Sequence, residues 1–322
     1  MKKGLSVVMS RIATPARVGR RDFIVVVALA AIAFFIPYVA GTYQQEVGFR
    51  ILQLGALAAA WNIAAGYTGL VSLGSAGFFG IGVYTMAMAS NAGLPIVLCV
   101  VLAAVLASIF AIIVSPALFR LRGLYFTVGT LALAEALRIF VVNSPWFGGQ
   151  AGIYLTAKAF TAYDLYWIGL IVAVVIAVCV LFLLRSRWSY RMQAVRDDED
   201  VASQLGVRTY RTKLWAFGLS GALIAVVGSI QALNQGIVQP NSGFGMGWTI
   251  EIVSVAIIGG MGTKVGPWIG AIFIVLLGEY LIQFPEIHLA VVGVVLLLVI
   301  RFMPNGIWGT LTLALQKDRN FS

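Results

Sequence analysis

Charged residues are scarce in this chain of 322 residues. Lysine, arginine, aspartate and glutamate make up 11% of the sequence, whereas hydrophobic residues make up 61% and the mean hydropathy is +0.96. So few charges could not cover the surface of soluble domains, and the same apolar composition excludes a disordered chain or a coiled coil. The composition therefore predicts an integral membrane protein.

Cysteine and histidine are also rare. The two cysteines, Cys99 and Cys179, lie in apolar runs, and the one histidine, His288, has no cluster of cysteines or carboxylates at metal-ligand spacing. A disulfide-stapled secreted domain and metal catalysis are therefore not expected. Residues 259–264 contain glycines and a lysine but lack the spacing of a phosphate-binding loop. We predict no ATPase site, no cofactor and no metal, and a function other than catalysis.

Uncharged runs of about 20 residues predict helices that cross a membrane, because lipid offers no hydrogen-bond partner to an unpaired backbone. Turn signals at 66–69 and 91–95 divide one long uncharged run into three helices. The predicted fold is all-α: a polytopic integral membrane helical bundle of about ten spans, including broken or re-entrant segments. The segment 249–258 is too short to cross unless it extends into 243–247 or belongs to a broken helix. The predicted spans are 22–46, 50–65, 75–90, 96–119, 124–142, 164–185, 214–235, 249–258, 267–284 and 287–300.

The distribution of basic residues predicts the orientation of these spans and accounts for the net charge of +10. Lysines and arginines precede the first acidic residue, Asp22, and the positive-inside rule places such a segment in the cytoplasm. No clear small-residue cleavage pattern follows the apolar run 23–38, so an uncleaved first span is preferred to a signal peptide. The predicted organisation is a basic cytoplasmic N-terminal segment (1–21), a transmembrane domain (22–301) and a cytoplasmic C-terminal tail (302–322).

Residues 185–213, here named the charged segment, form the longest charged stretch and are predicted to be cytoplasmic. Asp197 is expected to cap a short helix, with acidic residues in its first turn and Gly206 at its end. Val201 and Leu205, four positions apart, would form one apolar ridge on that helix, which suits docking into a cleft of another protein. The alternative is a solvated loop that only follows the positive-inside rule.

Several motifs resemble those of one protein family. Residues 189–199 (Ser-Tyr-Arg-Met-Gln-Ala-Val-Arg-Asp-Asp-Glu) and 213–217 (Lys-Leu-Trp-Ala-Phe) resemble the coupling loop of ABC transporter permeases. More narrowly, they resemble the branched-chain amino-acid uptake family of the LivM type. Residues 67–82, 121–126 and 259–267 are similar to further glycine-rich and mid-chain segments of that family.

The general coupling-helix motif of ABC permeases is Glu-Ala-Ala-x-x-x-Gly, from which Asp200 and Val201 depart while Ala202 and Gly206 agree. The narrower resemblance implies a permease subunit of an ATP-driven importer, which forms the path for leucine, isoleucine and valine delivered by an extracytoplasmic binding protein. It also implies a second permease subunit in a heterodimer, two cytoplasmic ATPase subunits, and a bacterial inner membrane location with both termini cytoplasmic. The residues implied in ATPase coupling are Arg191, Arg196, Asp197, Asp198, Glu199, Asp200, Ala202, Leu205 and Gly206.

A translocation path for an aliphatic zwitterion needs an apolar cavity with a few polar contacts. The small residues of 66–82 could line it along a broken helix, although close helix packing is the alternative use of such residues. Glu135 and Arg138 can pair on one helix face, either as a gate for the solute or as a structural latch. Glu251 and Glu279 must be neutral, paired or facing water. The candidate path residues are Gly69, Ser72, Gly74, Ser75, Gly77, Glu135 and Arg138.

The sequence leaves other functions open. A permease with these motifs could carry urea, short amides or other amino acids. An ion-coupled secondary carrier would need two inverted halves with ionisable residues at related positions, and no convincing repeat is present. A membrane-embedded enzyme would need a recurrent set of histidine, aspartate or cysteine residues at a common depth, which the sequence also lacks.

Overall fold

The computed structural model describes residues 41–156 and 160–281, together with scattered residues between 24 and 38 and between 291 and 310. Within this part of the chain the architecture is a bundle of helices with one very short, two-stranded antiparallel β-sheet. The helices are α1 Thr42–Ala64, α2 Ser75–Asn91, α3 Ile96–Leu118, α4 Leu124–Asn143, α5 Ala162–Arg185, α6 Arg187–Asp197, α7 Glu199–Gln204, α8 Thr209–Gln235, α9 Pro240–Gly243, α10 Met246–Gly259 and α11 Gly266–Tyr280. The strands are β1 Ile153–Tyr154 and β2 Ile237–Val238, and a 3-10 turn covers Pro145–Phe147.

Six helices of the described residues are long and apolar enough to cross a membrane, which confirms a polytopic helical membrane protein. They are α1, α3, α4, α5, α8 and the combined α9 and α10, while α11 is a shorter apolar helix. The predicted short span 249–258 is in fact the broken helix Pro240–Gly259, interrupted between α9 and α10. The predicted spans at either end of the chain lie largely outside the described residues, as do His288 and both terminal segments.

Charged residues proved to be poor markers of helix ends. Glu46 and Arg50 were expected between two spans, but both lie inside α1. Asp164 lies inside the first turn of α5, where it forms a capping box with Thr161. Lys213 lies inside α8, which begins at Thr209. A charged side chain can lie inside a membrane helix when it is paired or reaches the interface, so a charge does not mark the first residue of the helix.

The bundle has two ends, which can be told apart by the contacts of consecutive helices. α1 ends at Ala64, close to Arg196 of the charged segment, and we name this the charged end. α2 ends at Asn91, whose side chain donates to the carbonyl oxygen of Tyr154 in β1 at 2.7 Å, and we name this the sheet end. The sheet pairs β1 with β2 antiparallel, so the segment after α4 and the segment after α8 meet there. Successive long helices therefore run in alternating directions.

The core of the bundle depends on direct backbone contact between helices. α8 lies at the centre, against α1, α2 and α3, and both α1 and α8 are mostly buried. A Cβ atom added at Gly82 of α2 would lie 2.0 Å from the carbonyl oxygen of Ala225 in α8. One added at Gly270 of α11 would lie 2.1 Å from the carbonyl oxygen of Val255 in α10. Small residues thus allow close packing of the helices at these positions.

Candidate functional site

The charged segment folds as two short helices rather than as a solvated loop. α6 begins after Ser186, whose hydroxyl accepts from the amide of Trp188, and α7 follows α6 almost at once. The cap of α7 is Asp198, whose carboxylate accepts from the amides of Asp200 and Val201 at 2.9 and 3.0 Å. The prediction of Asp197 as this cap is wrong. Asp198 has the extended backbone that an N-cap requires, whereas Asp197 is the last residue of α6.

One face of the two helices packs onto the bundle and the other is exposed. Met192, Val195 and Ala202 are buried against the bundle. Val201 and Leu205 are 50% and 78% exposed, so the predicted apolar ridge is present on the outer face of α7 and just after it. Gly206 follows in the left-handed conformation and its amide donates to the carbonyl oxygen of Ser203, which ends the helix as predicted.

Arg196 joins the charged segment to the turn that follows α1. Its side chain is only 6% exposed, and its guanidinium donates to the carbonyl oxygen of Gly66 at 3.2 Å and to the Asp197 carboxylate at 3.1 Å. Gly69 has a positive φ of 79°, and a Cβ atom there would lie 3.2 Å from Cγ of Arg196. The arginine therefore fills the space that the glycine backbone leaves open.

Lys213 joins the same segment to the start of α8. Its ammonium group, on a side chain only 9% exposed, forms an ion pair with Glu199 and lies 5.9 Å above the ring of Phe119. Asp200, one residue further along α7, forms an ion pair with Arg122 at 3.4 Å, and both of these side chains are exposed. The outer pair is therefore solvated, whereas the inner pair fixes α7 to the bundle.

Residues 65–74, here named the connecting segment, link α1 to α2 without helical structure in their second half. Their backbone groups pair with threonine side chains of other helices. The Thr130 hydroxyl accepts from the amide of Leu73 at 3.0 Å, and the Thr127 hydroxyl donates to the carbonyl oxygen of Val71 at 2.9 Å. The Thr249 hydroxyl donates to the Leu73 carbonyl oxygen at 3.2 Å. These bonds satisfy a non-helical backbone inside the bundle, where water is excluded.

A second junction fixes the start of the connecting segment to the turn between α10 and α11. The amide of Asn62 donates to the carbonyl oxygen of Thr263 at 2.9 Å and accepts from the backbone amide of Gly262 at 2.8 Å. The Tyr67 hydroxyl donates to the same Thr263 oxygen at 3.0 Å. Burial raises the pKa of the Tyr67 hydroxyl above its ordinary value, so this donor stays protonated.

The threonines and asparagine of these two junctions were missed in the sequence. The sequence did indicate that these residues have hydrogen-bond partners, because a lone polar residue in an apolar run must find a partner in the bundle. It could not indicate which residues those partners are, since each bond joins positions that are at least 56 residues apart in the chain. The charged segment, the connecting segment and the turn at 260–263 thus form one hydrogen-bonded assembly at the charged end.

The predicted path residues of α2 and the connecting segment are buried. The Ser72 hydroxyl accepts from the amide of Gly74 at 3.1 Å, so it is used within its own turn. The Ser75 hydroxyl is buried and has no hydrogen-bond partner among the described residues. A Cβ atom at Gly74 would lie 2.7 Å from the carbonyl oxygen of Thr130, and one at Gly77 would lie 3.3 Å from a methyl carbon of Leu137. Both glycines therefore have a packing role in this chain.

The predicted pairing of Glu135 with Arg138 is confirmed, at 2.5 Å on one face of α4. Arg138 also donates to the side-chain oxygen of Asn241 in α9 at 2.7 Å, so this pair links two helices. A Cβ atom at Gly77 would lie 3.4 Å from Cα of Ala134, the residue before Glu135, so α2 and α4 pack closely at this level.

Glu251 and Glu279, the two carboxylates in the C-terminal third of the chain, have partners on α1 that could not be predicted from the sequence. Glu251 forms an ion pair with Arg50 at 3.1 Å, and Glu279 accepts a hydrogen bond from the Tyr43 hydroxyl. Deeper in the bundle, a buried amide pair joins α1 to α8: Gln53 donates to Gln231 at 2.6 Å. The described residues contain no group of three or more side chains that could hold a metal ion.

Comparison with known proteins gives a match over most of the chain. Residues 46–300 match the family described as branched-chain amino acid transport system / permease component. The chain is 27% identical over 312 residues to the high-affinity branched-chain amino acid transport system permease protein LivM of Salmonella typhimurium, and the match covers 87% of this chain and 73% of that protein. It is 28% identical over 313 residues to LivM of Escherichia coli, with the same coverage.

A more distant set of relatives matches about half of the chain. The autoinducer 2 import system permease protein LsrC of Salmonella paratyphi B is 28% identical over 163 residues, which are 48% of this chain and 46% of that protein. No solved structure matches the chain.

Proposed function

Because the chain belongs to the branched-chain amino acid transport permease family, and so is a non-catalytic permease component of an ABC transporter, we propose that it forms the path for leucine, isoleucine and valine. In this proposal a second permease subunit completes the path as a heterodimer. Two cytoplasmic ATPase subunits supply the energy, and an extracytoplasmic binding protein delivers the solute. The charged end and both termini face the cytoplasm of a bacterial cell.

The observation that carries the proposal is the position of Arg196. This one side chain contacts the turn after α1 from within the charged segment, and Lys213 ties the same segment to α8 through Glu199. A push on α6 and α7 is therefore transmitted both to the connecting segment and to the central helix. Two connections to separate parts of the bundle are what a coupling element needs if it is to shift the bundle between two states.

The outer face of the charged segment is the proposed contact with the ATPase. Val201 and Leu205 offer an exposed apolar ridge, and the carboxylates of Asp197 and Asp200 lie at the surface around it. An apolar centre with a charged rim is the usual composition of a protein interface. Some of the predicted coupling residues face the bundle, among them Ala202, Glu199 and Arg196. These residues would act by holding the apolar ridge in place.

The proposed path comprises the connecting segment, the start of α2 and the Glu135–Arg138 pair. The unpartnered hydroxyl of Ser75 supports this assignment, since a buried polar group without a partner is available to a passing solute. The adjacent Glu135 and Arg138 carry the two charges that would complement a zwitterion. Rearrangement of the pair would then accompany passage of the solute.

The choice of solute is a separate question. Relatives named as autoinducer 2 permeases match half of this chain, which supports the view that this type of bundle serves solutes of unlike chemistry. Urea, short amides and other amino acids are therefore the second candidates. Membership of the permease family favours all of these over an ion-coupled carrier.

The test of coupling replaces the ridge with polar residues of similar exposure. Val201→Ser with Leu205→Ser should reduce ATP-driven leucine uptake at least about tenfold while the transporter still reaches the membrane, because a few residues near the centre of an interface carry most of its affinity. The matched control is Leu121→Ser with Leu124→Ser, which changes two other exposed leucines at the charged end and should leave uptake within about twofold. Uptake equal to that of the native protein in the ridge variant would contradict the proposal.

The test of solute uses the native transporter in the same assay. Leucine, isoleucine and valine should compete with one another for uptake, whereas urea and acetamide in large excess should not. Competition by urea or acetamide, with none among the branched-chain amino acids, would assign the second candidate function.

A further inference from the structure

A basic groove separates α6 from the first turns of α8 at the charged end. It encloses about 490 Å³, which lies in the range of small-molecule sites. Trp188 and Arg191 line it on the α6 side, and Arg208, Arg211 and Trp215 line it on the α8 side. Leu205 of the apolar ridge also lines it, and Arg191 belongs to the predicted coupling residues, but none of the functions proposed above uses Arg208, Arg211 or either tryptophan.

The positive charge of the groove is not neutralised within the described part of the chain. Arg191, Arg208 and Arg211 are exposed, and none of them forms an ion pair with any described residue. No acidic side chain lines the groove. Arg191 lies 5.1 Å from the centre of the Trp188 ring, which holds its guanidinium at the groove wall. Three guanidinium groups around one cavity therefore favour an anionic occupant.

The tryptophans place the groove at the depth where a helix leaves the bilayer. The rings of Trp188 and Trp215 are 5.8 Å apart, and Trp215 lies on α8 two turns from its start. Trp188 comes three positions after the end of α5, whose last turns expose Phe182. Tryptophan is enriched at the boundary between hydrocarbon and headgroups, and apolar residues such as Phe182 face the acyl chains. The groove thus opens beside the phosphate layer of the membrane.

We propose that this groove binds the phosphate headgroup of an anionic phospholipid. Guanidinium groups present paired N–H donors that match the oxygens of a phosphate, and basic pockets between membrane helices bind lipid headgroups of this kind. The headgroup would lie between Arg208 and Arg211 on one side and Arg191 on the other, with its acyl chains running along α5. A phosphodiester shared between α6 and α8 would hold the charged segment against the membrane surface.

The experiment compares two double variants of the full chain in nanodiscs of phosphatidylcholine with increasing phosphatidylglycerol. Native mass spectrometry counts the phosphatidylglycerol molecules that remain bound after the protein is released. An arginine near an anionic membrane contributes roughly fivefold to affinity, so Arg208→Gln with Arg211→Gln should weaken phosphatidylglycerol retention roughly 30-fold. Arg120→Gln with Arg187→Gln removes the same charge from exposed positions outside the groove and should change retention less than about threefold.

Further measurements separate the proposal from its rivals. Arg208→Lys with Arg211→Lys keeps the charge without the paired donors, and it should fold with helical content equal to the native protein and retain an intermediate amount of phosphatidylglycerol.

Millimolar inorganic phosphate should not displace the bound lipid; displacement would show a site for free phosphate and overturn the assignment to lipid. Equal retention by the glutamine variant and the native protein would also overturn it. If that variant keeps its lipid but loses ATP-driven uptake, the groove serves the ATPase instead.

Discussion

The two ends of the bundle use charge in opposite ways. At the charged end Arg196 and Lys213 are almost fully buried, and each is held by both a carboxylate and a further contact with the bundle. At the sheet end the side chains of Arg50 and Arg138 are 48% and 28% exposed, although both are ion-paired. A buried charge that loses its partner costs far more free energy than an exposed one.

This difference indicates which end moves as a unit and which end rearranges. The charged segment cannot slide over the bundle without exposing or unpairing buried charges, so it should transmit force as a rigid body. The ion pairs of the sheet end can exchange their partners for water or for a charged solute at small cost in free energy. The end expected to meet the ATPase is therefore stiff, and the end expected to meet the solute is adaptable.

The largest expected effect comes from unpairing the buried lysine. Glu199→Gln leaves the Lys213 ammonium buried without its counter-charge, and we expect a loss of about 3 kcal/mol of stability. The midpoint of thermal unfolding of the detergent-solubilised protein measures it. Asp200→Asn is the matched control, because its partner Arg122 is exposed, and it should cost less than about 1 kcal/mol. Equal shifts in the two variants would remove the contrast between buried and exposed pairs.

A smaller loss of stability with a larger loss of transport is expected at Arg196. Arg196→Ala removes a charged hydrogen bond to the Gly66 carbonyl oxygen, worth about 1.5–3 kcal/mol, and also breaks the link to the connecting segment. ATP-driven uptake should fall at least about tenfold, more than the lowered amount of folded transporter explains. Arg187→Ala, an exposed position on α6, should leave both unfolding and uptake unchanged. If Arg196→Ala takes up solute at the native rate per folded transporter, the coupling role is wrong.

The smallest effect is expected at the sheet end. Asn241→Ala removes the hydrogen bond between α9 and Arg138, and such bonds between membrane helices contribute about 0.6 kcal/mol on average. Uptake should change less than about threefold, and thermal unfolding should shift less than in either variant above. A shift larger than that of Glu199→Gln would reverse the comparison between the two ends.

Local features of this fold were predictable from the sequence. Turn signals from glycine, asparagine and proline predicted both ends of α2 and the start of α3 to within a residue. The three-residue spacing predicted the ion pair between Glu135 and Arg138. The identity of the α7 cap was missed by one position, because a run of four acidic residues offers several caps and only the backbone decides among them.

The features that could not be predicted are contacts between distant positions. Arg50 pairs with Glu251, 201 positions away, and a single sequence carries no information about which carboxylate faces which arginine. The groove between α6 and α8 was missed for a related reason. Arg208 and Arg211 follow α7 in the sequence, but their shared cavity with the tryptophans depends on how α6 folds back onto α8.

The junctions of Asn62 and Leu73 with Thr263 and Thr249 also affect how the protein is made. A ribosome releases the first third of the chain long before it has translated the last third, so the connecting segment enters the bilayer before these late partners exist. During that interval its polar groups lie in hydrocarbon or stay in water. The N-terminal helices therefore insert before the hydrogen bonds that stabilise them can form. A nascent chain that stalls before residue 249 should be a substrate for membrane quality-control proteases.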